Sequence, residues 1–173
     1  MSRVLKACLC GLLIAISTIA VAQAESHSIF TDLNGEPRKL EDYTGKGKWQ
    51  VVMIWASDCH ICNKEAASYA RFHESQGDDG VGVIGISMDG EENKAAALAF
   101  VERHDLSFPN LIGEPGMVGL YYAALAKESL RGTPTFLIFG PSGELAAAQA
   151  GAVPPDAITR FIAKHDSTRS AGR

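Results

Sequence analysis

Two cysteines separated by two residues, Cys59 and Cys62, carry the clearest chemical signal in the sequence. Such a pair can bind a metal ion, attach a haem, or exchange electrons as a dithiol and a disulfide. It follows the apolar run QVVMIWA at 50–56, which predicts a strand buried on both faces. The segment after the pair is rich in helix formers, so the cysteines are predicted to lie between a strand and a helix.

This position favours redox chemistry. Cys59 would lie at or near a helix N-cap, where unpaired backbone N–H groups and the helix dipole stabilise a thiolate. Cys62, one helical turn further on, would lie on the same side of the helix. It could therefore attack a mixed disulfide formed at Cys59 and release the product. We predict that Cys59 is the attacking thiol and Cys62 the resolving thiol.

The other uses of the pair have less support. A structural zinc site needs four ligands, and the five histidines do not show the His-x3–5-His spacing that would complete one. Covalent haem attachment needs a histidine directly after the second cysteine, where this chain has Asn63. A peroxidase would need a lone attacking cysteine in its own loop pattern. A Cu(I) carrier stays open, because thiolates bind Cu(I) readily.

Residues 1–24 have the pattern of a secretory signal peptide. Arg3 and Lys6 precede an apolar run, and the small residues AQA end at Ala24, where we predict cleavage. The run is shorter than the roughly 18–20 residues of a spanning helix, and an uncleaved membrane anchor is the alternative. Cys8 and Cys10 precede or open the apolar run, which argues against a lipoprotein signal. The pattern therefore predicts a periplasmic location.

Cleavage would leave Cys59 and Cys62 as the cysteines of the mature chain. The loop that they close is too short for their disulfide to remove much chain entropy, so we expect the pair to serve chemistry rather than stability. The mature chain would carry 14 Lys and Arg against 20 Asp and Glu, a net charge near −6. With no basic block in the sequence, nucleic acid and anionic membrane surfaces are not expected partners.

Strands and helices alternate along the rest of the chain, and a hairpin comes near its end. The pattern predicts an α/β fold, with a central mixed β-sheet flanked by helices. Strands are predicted at 50–56, 81–87, 108–112, 133–139 and 145–151, and helices at 63–76, 91–104, 115–128 and after Pro155. We predict one domain over residues 25–166, followed by a flexible polar tail over 167–173.

The stretch WASDCHIC resembles the W-A-x-x-C-x-x-C signature of the thioredoxin superfamily. More narrowly, LNGEPRKLEDYTGKGKWQVVMIWASDCHICNKE resembles the exported TlpA/ResA-type thiol–disulfide oxidoreductases, and GTPTFLIFGPSGEL resembles their strand led by a cis-proline. The resemblance covers most of residues 29–165. It implies a thioredoxin-like three-layer sandwich with an extra strand–helix insertion, here within about 88–115.

The resemblance also implies a substrate groove beside the cysteines. In this family the peptide bond before Pro134 is cis, and Pro134 faces Cys59. Proline is restricted to the start of a central strand, and X–Pro bonds are where cis peptides occur, which agrees with this. A cis bond would leave the backbone of Thr133 able to pair with an extended substrate segment. We assign Thr133, Pro134 and Trp55 to the groove, with Trp55 shielding the pair.

Three further residues are candidates for tuning the pair. Glu65 matches the acid of the family's C-x-x-C-x-x-E motif and is a candidate proton acceptor for Cys62. His60, when protonated, would stabilise the thiolate of Cys59. Asp58 would oppose this by raising the pKa of that thiol. Because these effects have opposite signs, the redox poise does not follow from the sequence.

The expected activity is therefore thiol–disulfide exchange with exported protein substrates, without a cofactor or a bound metal. The family favours reductases that serve cytochrome c maturation or copper-site assembly, and such a reductase would need electrons from a membrane-bound donor. A disulfide oxidase or isomerase of the same fold is the alternative within the enzymes.

Overall fold

A computed structural model describes residues 28–77 and 80–171; the predicted signal peptide over residues 1–24 lies outside them. The strands of the described residues form a seven-stranded mixed sheet, with the order β2-β1-β5-β4-β3-β6-β7. The strands are β1 (Phe30–Asp32), β2 (Pro37–Arg38), β3 (Gln50–Trp55), β4 (Gly82–Ser87), β5 (Asn110–Gly113), β6 (Thr135–Phe139) and β7 (Leu145–Ala150). The helices are α1 (His60–Gln76), α2 (Lys94–Arg103), α3 (Pro115–Ala126) and α4 (Pro155–Ala171), with a short 3₁₀ helix at Leu40–Asp42.

The centre of the sheet is parallel and fully covered. Strand β4 pairs in parallel with both β3 and β5, whereas β6 pairs antiparallel with β3. Every residue of β3 and β4 is buried, as their unbroken apolar runs predict. Alternate residues of β3 pack on opposite faces: Met53 lies in one core cluster with residues of α1, α2 and α4, and Ile54 in the other with residues of α3. The three-layer thioredoxin-like sandwich is confirmed.

The predicted insertion is α2 and β5. It follows β4 and adds a parallel strand to the sheet, and β5 then pairs antiparallel with β1. A turn at Asn34-Gly35 joins the antiparallel strands β1 and β2, and Gly35 takes a positive φ of 91° there. Among the described residues, no helix has both the length and the apolar character needed to cross a membrane.

The last helix corrects the predicted domain boundary. Helix α4 extends to Ala171, so residues 167–171, which the sequence assigned to a flexible tail, are helical. The hydroxyl groups of Ser167 and Thr168 both donate to the carbonyl oxygen of Lys164, which satisfies polar groups along this part of the helix. The polar residues after 166 therefore belong to an exposed part of α4 and do not show where the helix ends.

Candidate active site

The two cysteines lie where the central strand meets the first helix. Strand β3 ends at Trp55 and α1 begins at His60, so Cys59 is the N-cap residue, as predicted. The backbone N–H of Cys62 points at the sulfur of Cys59, with a separation of 3.0 Å. The two residues are joined by a disulfide, with their Cα atoms 5.2 Å apart. This N–H would stabilise a thiolate on Cys59 in the reduced protein.

The two sulfurs differ in their access to solvent. Cys62 is 0% exposed and belongs to a core cluster with Ala66 and Tyr69 of the same helix. Cys59 is only partly buried and packs at the edge of that cluster. A bulky disulfide substrate can therefore approach Cys59 but not Cys62.

The peptide bond between Thr133 and Pro134 is cis, as the resemblance implied. Strand β6 starts at the next residue, Thr135, which pairs with Ile54 of β3. The cis bond therefore lies beside the end of β3, at the edge of the sheet from which the Cys59 loop leaves. Pro134 is buried, and its carbonyl oxygen accepts from the N–H of Gly151.

The backbone of Thr133 has hydrogen-bonding groups that are unpaired among the described residues. Within residues 28–77 and 80–171, neither its N–H nor its carbonyl oxygen has a hydrogen-bond partner, and the residue is only half-buried. Backbone groups that are left unpaired beside a strand can accept an extended peptide as an added strand.

The predicted place of Trp55 in the groove is wrong. Its side chain is 0% exposed, stacks on Phe100 with the ring centroids 4.2 Å apart, and donates from Nε1 to Oδ1 of Asn110 at 3.3 Å. Strand β3 alternates its side chains, and that of Trp55 points into the core layer between the sheet and α2. It supports the cysteine loop from below and does not line a surface.

The tuning candidates are Asp58 and His60, which flank Cys59 in the chain, and Glu65, further along α1. Asp58 and His60 are exposed, and Glu65 is half-buried on α1. Burial and then the negative charge of Glu65 raise the pKa of the Tyr69 hydroxyl, which donates to the carbonyl oxygen of Val153 at 2.6 Å. Glu65 therefore acts electrostatically on Tyr69, one helical turn further along α1.

The sequence model of the AhpC/TSA family matches residues 21–148. The chain belongs to the AhpC/TSA family. It is 25% identical over 136 residues to the thiol-disulfide oxidoreductase ResA of Bacillus thuringiensis subsp. konkukian, which covers 79% of this chain and 73% of that protein. It is also 25% identical over 146 residues to ResA of Geobacillus kaustophilus, covering 84% and 78%.

A solved structure with the same fold is that of a secreted Mycobacterium tuberculosis disulfide oxidoreductase. Its TM-score to this chain is 0.61 at 23% identity, covering 78% of this chain and 92% of that one. With its paired cysteines at the helix N-terminus, this AhpC/TSA-family protein is a ResA-like thiol–disulfide oxidoreductase with a thioredoxin fold.

The sequence analysis did not predict two residues that hold the cysteine loop of this AhpC/TSA-family chain. Asp89, just after β4, accepts hydrogen bonds from the backbone N–H of Ser57 at 3.1 Å and from its hydroxyl at 2.7 Å. The hydroxyl of Ser87 also donates to Asp89, at 2.6 Å. Because β3 and β4 are parallel, their carboxyl ends meet at one edge, and an acid there could have been predicted to hold the cysteine loop.

The second missed residue is Asn63, directly after the pair. Its side-chain nitrogen donates to the carbonyl oxygen of Cys59 at 2.9 Å and to that of Ser57 at 3.1 Å. The sequence analysis used Asn63 only as an argument against covalent haem attachment. Asp89 and Asn63 hold the same short loop through different groups, so the position of Cys59 is fixed from two sides.

Proposed function

We propose that the protein is a reductase of disulfides in exported proteins, with Cys59 as the attacking thiol and Cys62 as the resolving thiol. The observation that carries this proposal is the unequal access of the two sulfurs. Cys59 is half-buried at a helix N-terminus, whereas Cys62 is enclosed in the core one helical turn away. Exchange chemistry needs this difference, because the substrate must meet one sulfur while the other remains shielded.

In the first step, the thiolate of Cys59 attacks one sulfur of the substrate disulfide. A mixed disulfide forms, and the other substrate sulfur leaves as a thiolate that takes a proton. The thiolate of Cys62 then attacks the sulfur of Cys59. The Cys59–Cys62 disulfide forms, and the second substrate sulfur leaves and is protonated. Two electrons and two protons have then passed from the protein to its substrate.

Thr133 is proposed to hold the substrate during this exchange. Its unpaired backbone N–H and carbonyl oxygen lie beside the cis bond to Pro134, at the edge where Cys59 leaves the sheet. An extended segment could pair with these groups and bring its disulfide towards Cys59. The groove would thus recognise backbone, which suits a reductase that serves several protein substrates.

The acidic residues near Cys59 in the sequence would favour the reducing direction, and a protonated His60 would oppose them. Asp58 and Glu65 are acidic, and His60 is the one side chain within the Cys-x-x-Cys motif that can carry a positive charge. Negative neighbours destabilise a thiolate, and a dithiol whose thiolate is less stable gives up its electrons more readily. Glu65 is further proposed to accept the proton of Cys62 during the second step.

The setting that we propose is the periplasm. The predicted signal peptide at 1–24 supports export, and the described ResA relatives support a role in handling thiols of other proteins. The oxidised protein would be returned to its dithiol form by a membrane-bound dithiol donor. Apocytochrome c and copper-site assembly factors, whose paired cysteines must be reduced before they bind haem or copper, are the proposed substrate classes.

Exchange at Cys59 is tested by trapping. The variant Cys62→Ser keeps the attacking thiol but cannot resolve, so it should accumulate mixed disulfides with a disulfide-bonded peptide, visible on a non-reducing gel. The matched variant Cys59→Ser leaves only the buried sulfur and should trap none. If both variants fail to trap, and the reduced wild-type protein instead retains Cu(I) without reducing insulin, the protein is a Cu(I) carrier and not a reductase.

The direction of exchange is tested by equilibrating the purified domain with glutathione. A potential near that of thioredoxin, about −270 mV, is the expected result for a reductase. A potential of about −120 mV, like that of a strong periplasmic oxidant, would replace the proposal by an oxidase.

A further inference from the structure

The side chain of Asn63 joins the cysteine loop to the inserted helix α2. Its nitrogen donates to the carbonyl oxygens of Cys59 and Ser57, at 2.9 and 3.1 Å. Its oxygen is 2.9 Å from Nε2 of His104 and 3.4 Å from a guanidinium nitrogen of Arg103. Two carbonyl partners on one side and two nitrogen partners on the other fix the orientation of the amide.

His104 is itself held in place. Because the oxygen of Asn63 can only accept, Nε2 of His104 carries the hydrogen in this bond. Burial, and then the neighbouring charge of Arg103, lower the pKa of His104, which favours the neutral form of the ring. The ring also lies against Phe100, with the centroids 4.5 Å apart, and Phe100 stacks on Trp55. The end of α2 is thus anchored to the strand that leads to the cysteines.

The two carbonyl groups that Asn63 engages belong to the loop that presents Cys59. Each carries a partial negative charge, which would disfavour a thiolate on Cys59 if the oxygen turned towards it. The amide hydrogens of Asn63 hold both oxygens and offset part of their charge. With these oxygens fixed, the N–H of Cys62 stays directed at the sulfur of Cys59.

We propose that Asn63, anchored by His104, is a positioning residue that stabilises the thiolate of Cys59. This proposal rests on the proposed reductase function. The redox equilibrium of the pair is then set partly by the inserted helix, through a single side chain. Asn63 does not touch the substrate; it acts through the backbone of Cys59 and Ser57.

The decisive variant is Asn63→Ala, compared with the wild type in two assays. The pKa of Cys59, followed by thiolate absorbance at 240 nm, should rise by about one unit because two donors to the loop are lost. The equilibrium with glutathione should move about tenfold towards the disulfide, which corresponds to a potential about 30 mV lower. The control Lys64→Ala, at the next and exposed position of α1, should leave both values unchanged.

The anchor is tested separately at His104. In His104→Ala, Asn63 keeps its donors but loses its support. The pKa of Cys59 should therefore rise by about half a unit, and the equilibrium with glutathione should move about threefold towards the disulfide. His104→Gln should restore them, because a side-chain amide can donate to the oxygen of Asn63. Failure of the Gln variant to restore what the Ala variant loses would overturn the role of His104.

A second variant guards against a loss of folding. Asn63→Asp can still accept from His104 and Arg103 but can no longer donate to the two carbonyl oxygens, so it should raise the pKa of Cys59 at least as much as Asn63→Ala. Thermal unfolding of the oxidised variants checks that they are folded. Wild-type pKa and potential in both folded Asn63 variants would refute this inference and leave the reductase intact; an inert wild-type pair would refute the reductase itself.

Discussion

Gly85 provides the space in which Trp55 and Asn110 meet beneath the cysteine loop. A Cβ atom at position 85 would lie 1.9 Å from Oδ1 of Asn110 and 2.7 Å from Nε1 of Trp55. These two atoms form the buried hydrogen bond between the side chains, at 3.3 Å. Even a methyl group at position 85 would therefore prevent the hydrogen bond between Trp55 and Asn110, which forms the floor of the site beneath the cysteine loop.

Replacing Gly85 with Ala should force Trp55 and Asn110 apart. Overpacking of this kind costs about 1–3 kcal/mol of unfolding free energy, to be measured by urea unfolding of the oxidised protein. Gly119→Ala is the matched control, since the space around that Cβ in α3 is empty, and it should be neutral or stabilise by about 0.5–1 kcal/mol. Equal stability of Gly85→Ala and the wild type would mean that the floor is not closely packed.

Local spacing identified the two cysteines but not every residue that acts locally, since Asn63 was missed although its partners Cys59 and Ser57 are four and six residues away. Cys59 and Cys62 lie one helical turn apart, so their relation to the helix N-terminus was predictable. Asp89 and His104 escaped prediction because their partners, Ser57 and Asn63, are 32 and 41 residues away along the chain. Such contacts depend on how the insertion docks, and composition does not report that.

At the scale of elements, the buried strands were the most predictable part of the molecule. The apolar runs at 50–56 and 81–87 gave strand bounds correct to one residue, because a strand covered on both faces needs such a run. Helix ends were less predictable. Helix α2 starts at Lys94 and not at 91, since the residues before it form turns, and α3 ends at Ala126, where Lys127 takes a left-handed conformation.

The insertion shows how one element can act on the site without reaching the substrate. Loop 88–93 brings Asp89 to the cysteine loop, the end of α2 brings His104, and β5 brings Asn110 to Trp55. The resemblance located the insertion within 88–115, but its part in supporting the site emerged only from the packed structure.

For the molecule as a whole, the redox state and the stability of the fold are linked by a thermodynamic cycle. The disulfide can form in the folded or in the unfolded chain, and each has its own reduction potential. The difference between these two potentials, multiplied by 2F, equals the difference in unfolding free energy between the oxidised and reduced proteins. For this two-electron couple, about 30 mV corresponds to about 1.4 kcal/mol. The direction of electron flow can therefore be measured without any substrate.

The oxidised protein should unfold at a higher urea concentration than the dithiol form, because a reductase holds its disulfide more firmly when folded than when unfolded. The comparison is made with and without dithiothreitol, following the fluorescence of the two tryptophans. The Cys59→Ser/Cys62→Ser double variant should show one midpoint under both conditions, which controls for the reagent. A more stable dithiol form would identify an oxidant instead, since a strong oxidant is one whose reduced form is stabilised.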